Sequence, residues 1–393
     1  MNYLEKSMEI KEEIIENRRF LHQNPELGMH LPTATKFVME KLRAMGYEPQ
    51  EVNGGGVTAL VGKKNGKVIL LRADMDALPM TEDSGLEFAS KFEGKAHTCG
   101  HDMHTAMLLG AAKMLKENEE NLEGQVKFMF QPGEETLEGA ASMIKNGILE
   151  NPKVDAAMAM HMIPLVHTGV IAYGKGAVSA SCNIIKIIVK GKGGHGARPN
   201  DAIDPINVAA HIHIALQELI SREVDPGQTV ALTIGSFNAG TKENIIPEEA
   251  VMQGTLRTYD KAVQEFLVGR IKDICEYTAK AFRATAVVEF NGDVCALVAN
   301  PHMVDVMDKA FKEMVGPKAA VLMDKKMNGS EDFAMVADKV PSMCFVLGGG
   351  GVEEGYTKGI HHPQTRYNED CLPIGAAAYA QGATRWLEQA ENA

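Results

Sequence analysis

The chain has 393 residues, 45% of them hydrophobic and 23% charged, with a formal net charge of -12. That length exceeds one compact domain and predicts two, one inserted into the other, while the composition excludes a disordered or fibrous chain. The negative balance would repel a phosphate backbone or an anionic bilayer, which excludes nucleic acid and membrane as partners and leaves small molecules.

From Ser7 to Gln23 apolar residues recur at helical spacing (Met8, Ile14, Ile15, Phe20), which predicts a helix; a second runs from about Thr33 to Met45, where Gly46 stops it. The stretch from Met1 to Leu27 carries Glu and Lys throughout and lacks the apolar run of a signal peptide. No later stretch is suited to span a bilayer, so the expected location is cytoplasmic. Gly56 to Val61 and Val68 to Ala73 read as strands, the second ending at Asp74-Met75-Asp76. Met103 to Lys116 reads as a helix following Cys99-Gly100-His101-Asp102. Gln125 to Phe130 is a buried strand ending at Gln131-Pro132-Gly133-Glu134-Glu135, and Ala156 to Met160 a further one ending at His161. In an open α/β sheet the carboxyl ends of neighbouring strands converge on one crevice, so Asp74, Asp76, Glu134, Glu135 and His161 are expected to share a pocket.

After about Ser181 the pattern changes to strand (Ile184 to Lys190), helix (Asp204 to Arg222), strands (Thr229 to Phe237 and Ala250 to Thr258), helix (Lys261 to Phe282) and strand (Ala286 to Phe290). This order is the split βαβ layout of a ferredoxin-like α+β module. Helix Met303 to Met314, strand Met343 to Leu347 and a helix near Ile374 to Glu388 resume the mixed pattern, with Gly348 to Gly351 expected as a mobile loop between the last two. The expectation is a mixed-sheet α/β metal-binding domain formed by 1–180 and 295–393, with 181–294 inserted.

Six cysteines lie far apart with no Cys-x-x-Cys pair, as buried thiols of a reducing compartment would. Cys99 differs because it stands among His97, His101, Asp102 and His104. Thiolate and imidazole donors bind zinc, nickel, cobalt or manganese. The same run is compatible with structural histidines, or with a redox or nucleophilic thiol that a chelator would not inhibit. Glu134 and Glu135 are a solvated turn or, after a buried strand, a pair in which one acid binds metal and the other takes a proton from water. His195, in Gly193-Gly194-His195-Gly196, is a loop histidine or a functional one; no Walker motif and no Gly-x-Ser-x-Gly is present.

Taken together, Arg72-Ala73-Asp74-Met75-Asp76-Ala77-Leu78-Pro79, His97 to His104 and Gln131 to Glu135 resemble peptidase family M20, in its branch of aminoacylases, hippurate hydrolases, auxin-conjugate hydrolases and N-acetyl-diaminopimelate deacetylases. Gly194-His195-Gly196-Ala197, Asn244-Ile245-Ile246-Pro247, Gly329-Ser330-Glu331-Asp332-Phe333 and His361-His362-Pro363 extend the resemblance over nearly the whole chain. The resemblance implies a metallopeptidase domain with an inserted lid and dimerisation domain, and two divalent ions (Mn, Zn, Co or Ni) per subunit. It implies Cys99, His101, Glu135, His161 and His361 as ligands, with Cys99 a candidate bridge. Glu134 is then the general base and Asp76 an acid that supports a ligand. His195 matches a histidine reaching the partner subunit's site, and Asn244 and Arg257 match residues near the substrate carboxylate, so a homodimer is implied. Asp102 and His104 fit better as groups that orient ligands, and Asp74 stands where related branches have a ligating histidine.

The implied activity is metal-dependent hydrolysis of the amide bond of N-acyl amino acids. A biosynthetic N-acetyl-diaminopimelate-type deacetylase and a catalytically silent metal- or ligand-binding relative are the alternatives. The chain departs from the family pattern in the doublet His361-His362, which offers two candidates for the last ligand with register favouring His361, and in Pro199-Asn200, where the pattern has Pro-His.

Overall fold

The structure, a computed structural model, describes residues 1–390 and divides into two compact units. The first comprises Met1–Gly176, Val298–Lys326 and the chain from Asp332 onward; the second comprises Ala177–Leu297 and Met327–Glu331. The chain thus leaves the first unit and returns to it, and a five-residue stretch near 330 is shared out to the second.

The first unit opens with helices α1 (Tyr3–Glu9), α2 (Lys11–Gln23) and α3 (Pro32–Ala44). The single helix expected from Ser7 to Gln23 is broken at Ile10, whose φ of -102° and ψ of 13° leave the helical region. There follow β1 (Gln50–Val52), β2 (Gly56–Gly62), β3 (Lys67–Asp74), α4 (His101–Glu117), β4 (Gly124–Gln131), α5 (Gly139–Lys145), β5 (Ala156–Ile163) and β6 (Ile171–Tyr173). The chain then passes through β7 (Gly176–Ser179), β8 (Cys182–Lys190), β9 (Gly194–His195), α6 (Pro205–Glu218), β10 (Val230–Ala239), β11 (Ile245–Ile246), β12 (Glu249–Thr258), α7 (Lys261–Ala281) and β13 (Thr285–Val294). It closes with β14 (Leu297–Ala299), α8 (Pro301–Val315), β15 (Ala320–Leu322), α9 (Ala334–Ala337), β16 (Ser342–Gly348) and α10 (Leu372–Ala390).

The sheet of the first unit runs β1-β2-β4-β3-β5-β16-β6-β15. Its centre, β4, β3, β5 and β16, is parallel, whereas β2 and β6 join antiparallel. Central parallel strands covered on both faces read as continuous apolar runs. All eight positions of β4, and all but the first of β3, are buried accordingly. Helices α4 and α10 pack on β3, and α5 and α9 pack on β4 and β16. Helix α4 is buried on nearly every side, and a Cβ at Gly110 would lie 2.9 Å from Ile14 and 3.1 Å from Ala376, so glycine lets α4 approach α2 and α10 closely.

Gly348 to Gly351 is not a mobile loop. All four glycines are buried, and a Cβ at Gly349 would stand 2.6 Å from both Met162 and Tyr367. The absent side chains admit neighbouring rings to the backbone rather than freeing it.

The second unit is a four-stranded antiparallel sheet ordered β10-β12-β8-β13, the layout of a ferredoxin-like module. Its strands alternate, and Ile185, Ile187, Val189, Ala250, Met252 and Leu256 turn one face toward Val208, Ile212 and Leu216 of α6 and Leu267, Ile271 and Cys275 of α7. Asp204 and Asp260 cap the two helices by accepting from the N–H of Ile206 and Val263. No helix among the described residues is long and apolar enough to cross a membrane.

Candidate metal centre

In the first unit, parallel pairing of β3 with β4 and β5 brings three carboxyl ends side by side. Asp74 closes β3, the Glu134-Glu135 pair follows β4, and β5 carries His161. His161 is not at the strand end as expected, since β5 continues to Ile163 in register with β16. Helix α4 begins at His101, two residues earlier than the sequence suggests, because Gly100 turns the chain at a φ of 97° that other residues rarely adopt. His101 therefore projects from a rigid first turn.

Around this crevice Cys99 Sγ lies 3.5 Å from His161 Nε2 and 3.3 Å from His361 Nε2. His361 Nε2 is also 3.4 Å from Glu135 Oε1, and His101 Nε2 is 3.9 Å from that same oxygen. The donors form two compact groups, Cys99 with His101 and His161, and Cys99 with Glu135 and His361, joined through the thiol. Glu134 borders both, its Oε2 4.0 Å from His101 Nε2. His362 turns elsewhere, its Nδ1 accepting from the Gln364 N–H at 3.1 Å. His361 holds a φ of 58°, a left-handed conformation that costs a non-glycine residue about 1 kcal/mol or more.

Hydrogen bonds aim these donors. His101 Nδ1 is 2.8 Å from the Asp76 carbonyl oxygen and His161 Nδ1 is 2.7 Å from that of Met162. A carbonyl only accepts, so each Nδ1 carries a proton, and each ring, once neutral, turns an Nε2 lone pair to the crevice. The Asp76 carboxylate accepts from the N–H groups of Glu134 and Glu135 at 3.0 and 3.1 Å, fixing where both acids begin. His104 has no nitrogen to spare: Nε2 accepts from the Met162 N–H at 2.7 Å, and Nδ1 donates to Asp74 Oδ1 at 2.5 Å. Asp74 is further held by Arg72 at 2.7 Å. Asp102 faces away, toward Arg18 and His22 of α2.

Burial disfavours charge on Asp74, yet Arg72, His101 and His104 together hold its carboxyl well below the usual range. Burial likewise opposes a charged His101, and Asp74 foremost outweighs it, so His101 is raised well above an ordinary histidine. The crevice thus attracts positive charge. Burial pushes the Cys99 thiol far up, so a thiolate at this position needs a cation beside it. Two donor atoms, His101 Nε2 and Glu135 Oε1, are buried without a hydrogen-bond partner. Such atoms cost about 1–3 kcal/mol each unless something satisfies them, and mixed sulfur, nitrogen and oxygen donors suit borderline divalent ions. The residues present fit a pair of such ions.

Sequence reasoning missed the support beneath this crevice. Arg72, fully buried, donates to Gln131 Oε1 at 2.8 Å and to Asp332 Oδ1 at 2.9 Å as well as to Asp74. Asp332 also accepts from Gln131 Nε2 at 2.7 and 2.8 Å and from the Ala140 N–H at 2.9 Å. This network ties β3 to β4 just below their functional ends. The signal in the sequence was that Arg72, Gln131 and Asp332 each stood in a matched motif without an assigned task.

Three expected substrate residues lie in the second unit. His195, on β9, pairs with Ile245 of β11, and it shares a shallow recess with Asn244. Its Nδ1 accepts from the Ala197 N–H at 3.1 Å, which leaves a neutral ring an Nε2–H to donate. Arg257 stands apart from that recess on β12, its guanidinium 3.4 Å from the Asn328 carbonyl.

Against known proteins, residues 70–385 match the family described as Peptidase family M20/M25/M40. A relative named thermostable carboxypeptidase 2, from Saccharolobus solfataricus, is 39% identical over 95% of this chain and 95% of its own length. The hippurate hydrolase of Campylobacter jejuni is 35% identical over 99% of this chain and 100% of its own. Among solved structures, a dinuclear metal-binding peptidase of the M20 family from Bacillus subtilis superposes with a TM-score of 0.83 at 31% identity, covering 97% of this chain and 99% of that one.

Proposed function

From the premise that this chain belongs to peptidase family M20/M25/M40, we propose how its metal centre hydrolyses the amide bond of small N-acyl amino acids. It is a metal-dependent amidohydrolase that uses two divalent ions. The observation that carries the assignment of ligands is the pair of donor groups sharing Cys99, with unsatisfied His101 Nε2 and Glu135 Oε1 between them. Cys99, His101 and His161 would hold one ion; Cys99, Glu135 and His361 the other, with manganese, zinc, cobalt and nickel all compatible with these donors.

When bound, the ions supply Lewis acidity, both for the acyl carbonyl and for a water molecule. Glu134 takes the proton that the attacking water sheds and delivers it to the leaving amine nitrogen. Its backbone is pinned by Asp76, so the carboxylate starts from a fixed point at the rim of both donor groups. In the second unit, the Nε2–H of His195 is suited to an oxygen that gains charge and Arg257 to the free carboxylate of the substrate, which Asn244 would meet from the partner subunit of the proposed dimer. The names hippurate hydrolase and carboxypeptidase share that chemistry, an amide whose nitrogen belongs to an amino acid with a free carboxylate. We assign the second unit the part of a lid and a dimerisation surface in a cytoplasmic homodimer, as the family resemblance implies.

The test is Glu134→Gln. Turnover of N-benzoylglycine should fall by at least about 10²-fold while metal content stays at the wild-type level. A variant with near-normal kcat would overturn the assignment. A second reading, release of the last residue of a peptide, is favoured by the carboxypeptidase relative. Comparing N-acyl amino acids with N-blocked dipeptides separates the two.

A further inference from the structure

Beside the metal centre, in the first unit, lies a second buried network that the proposed reaction does not use. His22, on α2, is 3% exposed, and each of its ring nitrogens faces a carboxylate. Nδ1 is 2.8 Å from Asp102 Oδ2, and Nε2 is 3.1 Å from Glu82 Oε1. Arg18, one turn earlier, donates to the same Asp102 oxygen at 2.7 Å and to Glu369 at 3.2 Å.

The partners of His22 lead in two directions. Asp102 is the residue after His101, in the first turn of α4, where a helix is set by very few bonds. Holding its carboxylate fixes the rotation of that turn and so the aim of His101. Glu82 belongs to the long segment between β3 and α4, which it folds around itself by accepting from the Ser90 N–H at 2.7 Å and bonding Ser84. The next residue, Asp83, donates its N–H to the Pro363 carbonyl at 2.8 Å and accepts from Gln364 Nε2 at 2.7 Å. Pro363 lies two residues beyond His361, whose left-handed backbone needs external support.

We propose that His22 is a positioning residue of the metal centre, coupling the helical turn that carries His101 to the segment that carries His361. This rests on the two-ion reading above. One histidine bonded to two carboxylates from different segments sets the spacing between a donor of each group, and neither donor is touched by His22 itself. Side chains that orient ligands in this indirect way typically govern metal affinity by about 10- to 100-fold.

The experiment is a titration of metal-free protein with Co(II), followed by absorption, in wild type, His22→Ala, His22→Asn and His22→Gln, well below their unfolding temperatures. Wild type should take up two equivalents. His22→Ala should bind at least one of them about 10-fold or more weakly. His22→Asn, which keeps an N–H near the position of Nδ1, and His22→Gln, which keeps one near Nε2, should fall between. In turnover, activity that His22→Ala loses at limiting Co(II) should return with excess Co(II), a recovery that loss of folded protein would not produce. Wild-type Co(II) affinity in folded His22→Ala overturns the proposal and leaves the two-ion reading standing. If His22→Ala does not fold, wild-type affinity in both His22→Asn and His22→Gln overturns it equally. Wild-type protein that binds no Co(II) overturns the metal centre, and the positioning role with it.

Discussion

Replacing Asp332 with alanine removes one acceptor group from three buried donors, Arg72 NH2, Gln131 Nε2 and the Ala140 N–H. A buried donor left without a partner costs about 1–3 kcal/mol, so the three together set a range of roughly 3–9 kcal/mol. Arg72 keeps Asp74 and Gln131, so its charge is not orphaned, and the lower part of the range applies, about 3–5 kcal/mol as for breaking other buried ion pairs. For a unit of this size each kcal/mol lowers Tm by roughly 2–4 °C, which predicts a fall of about 6–20 °C by calorimetry. Asp332→Asn keeps one acceptor oxygen and should lose about half as much. An Asp332→Ala protein melting within about 2 °C of wild type would refute the reasoning, since it would mean the network stores no net stability.

Gly349→Ala should cost about 1–3 kcal/mol in urea unfolding, because its methyl group would press on Met162 and Tyr367, whereas Gly359→Ala, with open space around it, should be neutral. Lys127 is buried in β4 with Nζ on the Glu150 carbonyl, and burial brings its pKa down to about 8. The unfolded chain, near 10.5, then binds the proton more tightly, so this lysine makes the protein gain stability as pH rises from 8 to 10.5. Lys127→Met should flatten that part of the stability profile; an unchanged slope would show that the ammonium is not desolvated.

What could be read from the sequence was whatever is periodic. Apolar runs marked β3, β4 and β5, and the meeting of the acids that follow β3 and β4 came from parallel pairing, while the alternation in the second unit marked its strand and helix order. What escaped was set by distance along the chain. Asp332 meets Arg72 across 260 residues, and His22 meets Asp102 across 80, and nothing in local spacing announces either pair. Arg18 and His22, buried on α2, look like solvent-facing charges until their partners are known. The glycine run at 348–351 misled for the opposite reason: composition signals freedom, and only the packing of Tyr356 and Tyr367 shows that glycine is required for close approach.

Cys99 and His361 face each other across 262 residues of chain. In the proposed ligand set one ion grips both, and so acts as a cross-link that closes a very long loop. The entropy of closing a loop grows only slowly with its length, but it is largest for the longest loops, and an ion supplies it back each time the chain folds around it. An unfolded chain offers these donors singly and cannot rival that grip, so free-energy of binding becomes free-energy of folding. With that ligand set, metal supply would raise thermal tolerance by mass action, and a chelator would lower the melting temperature of the folded chain.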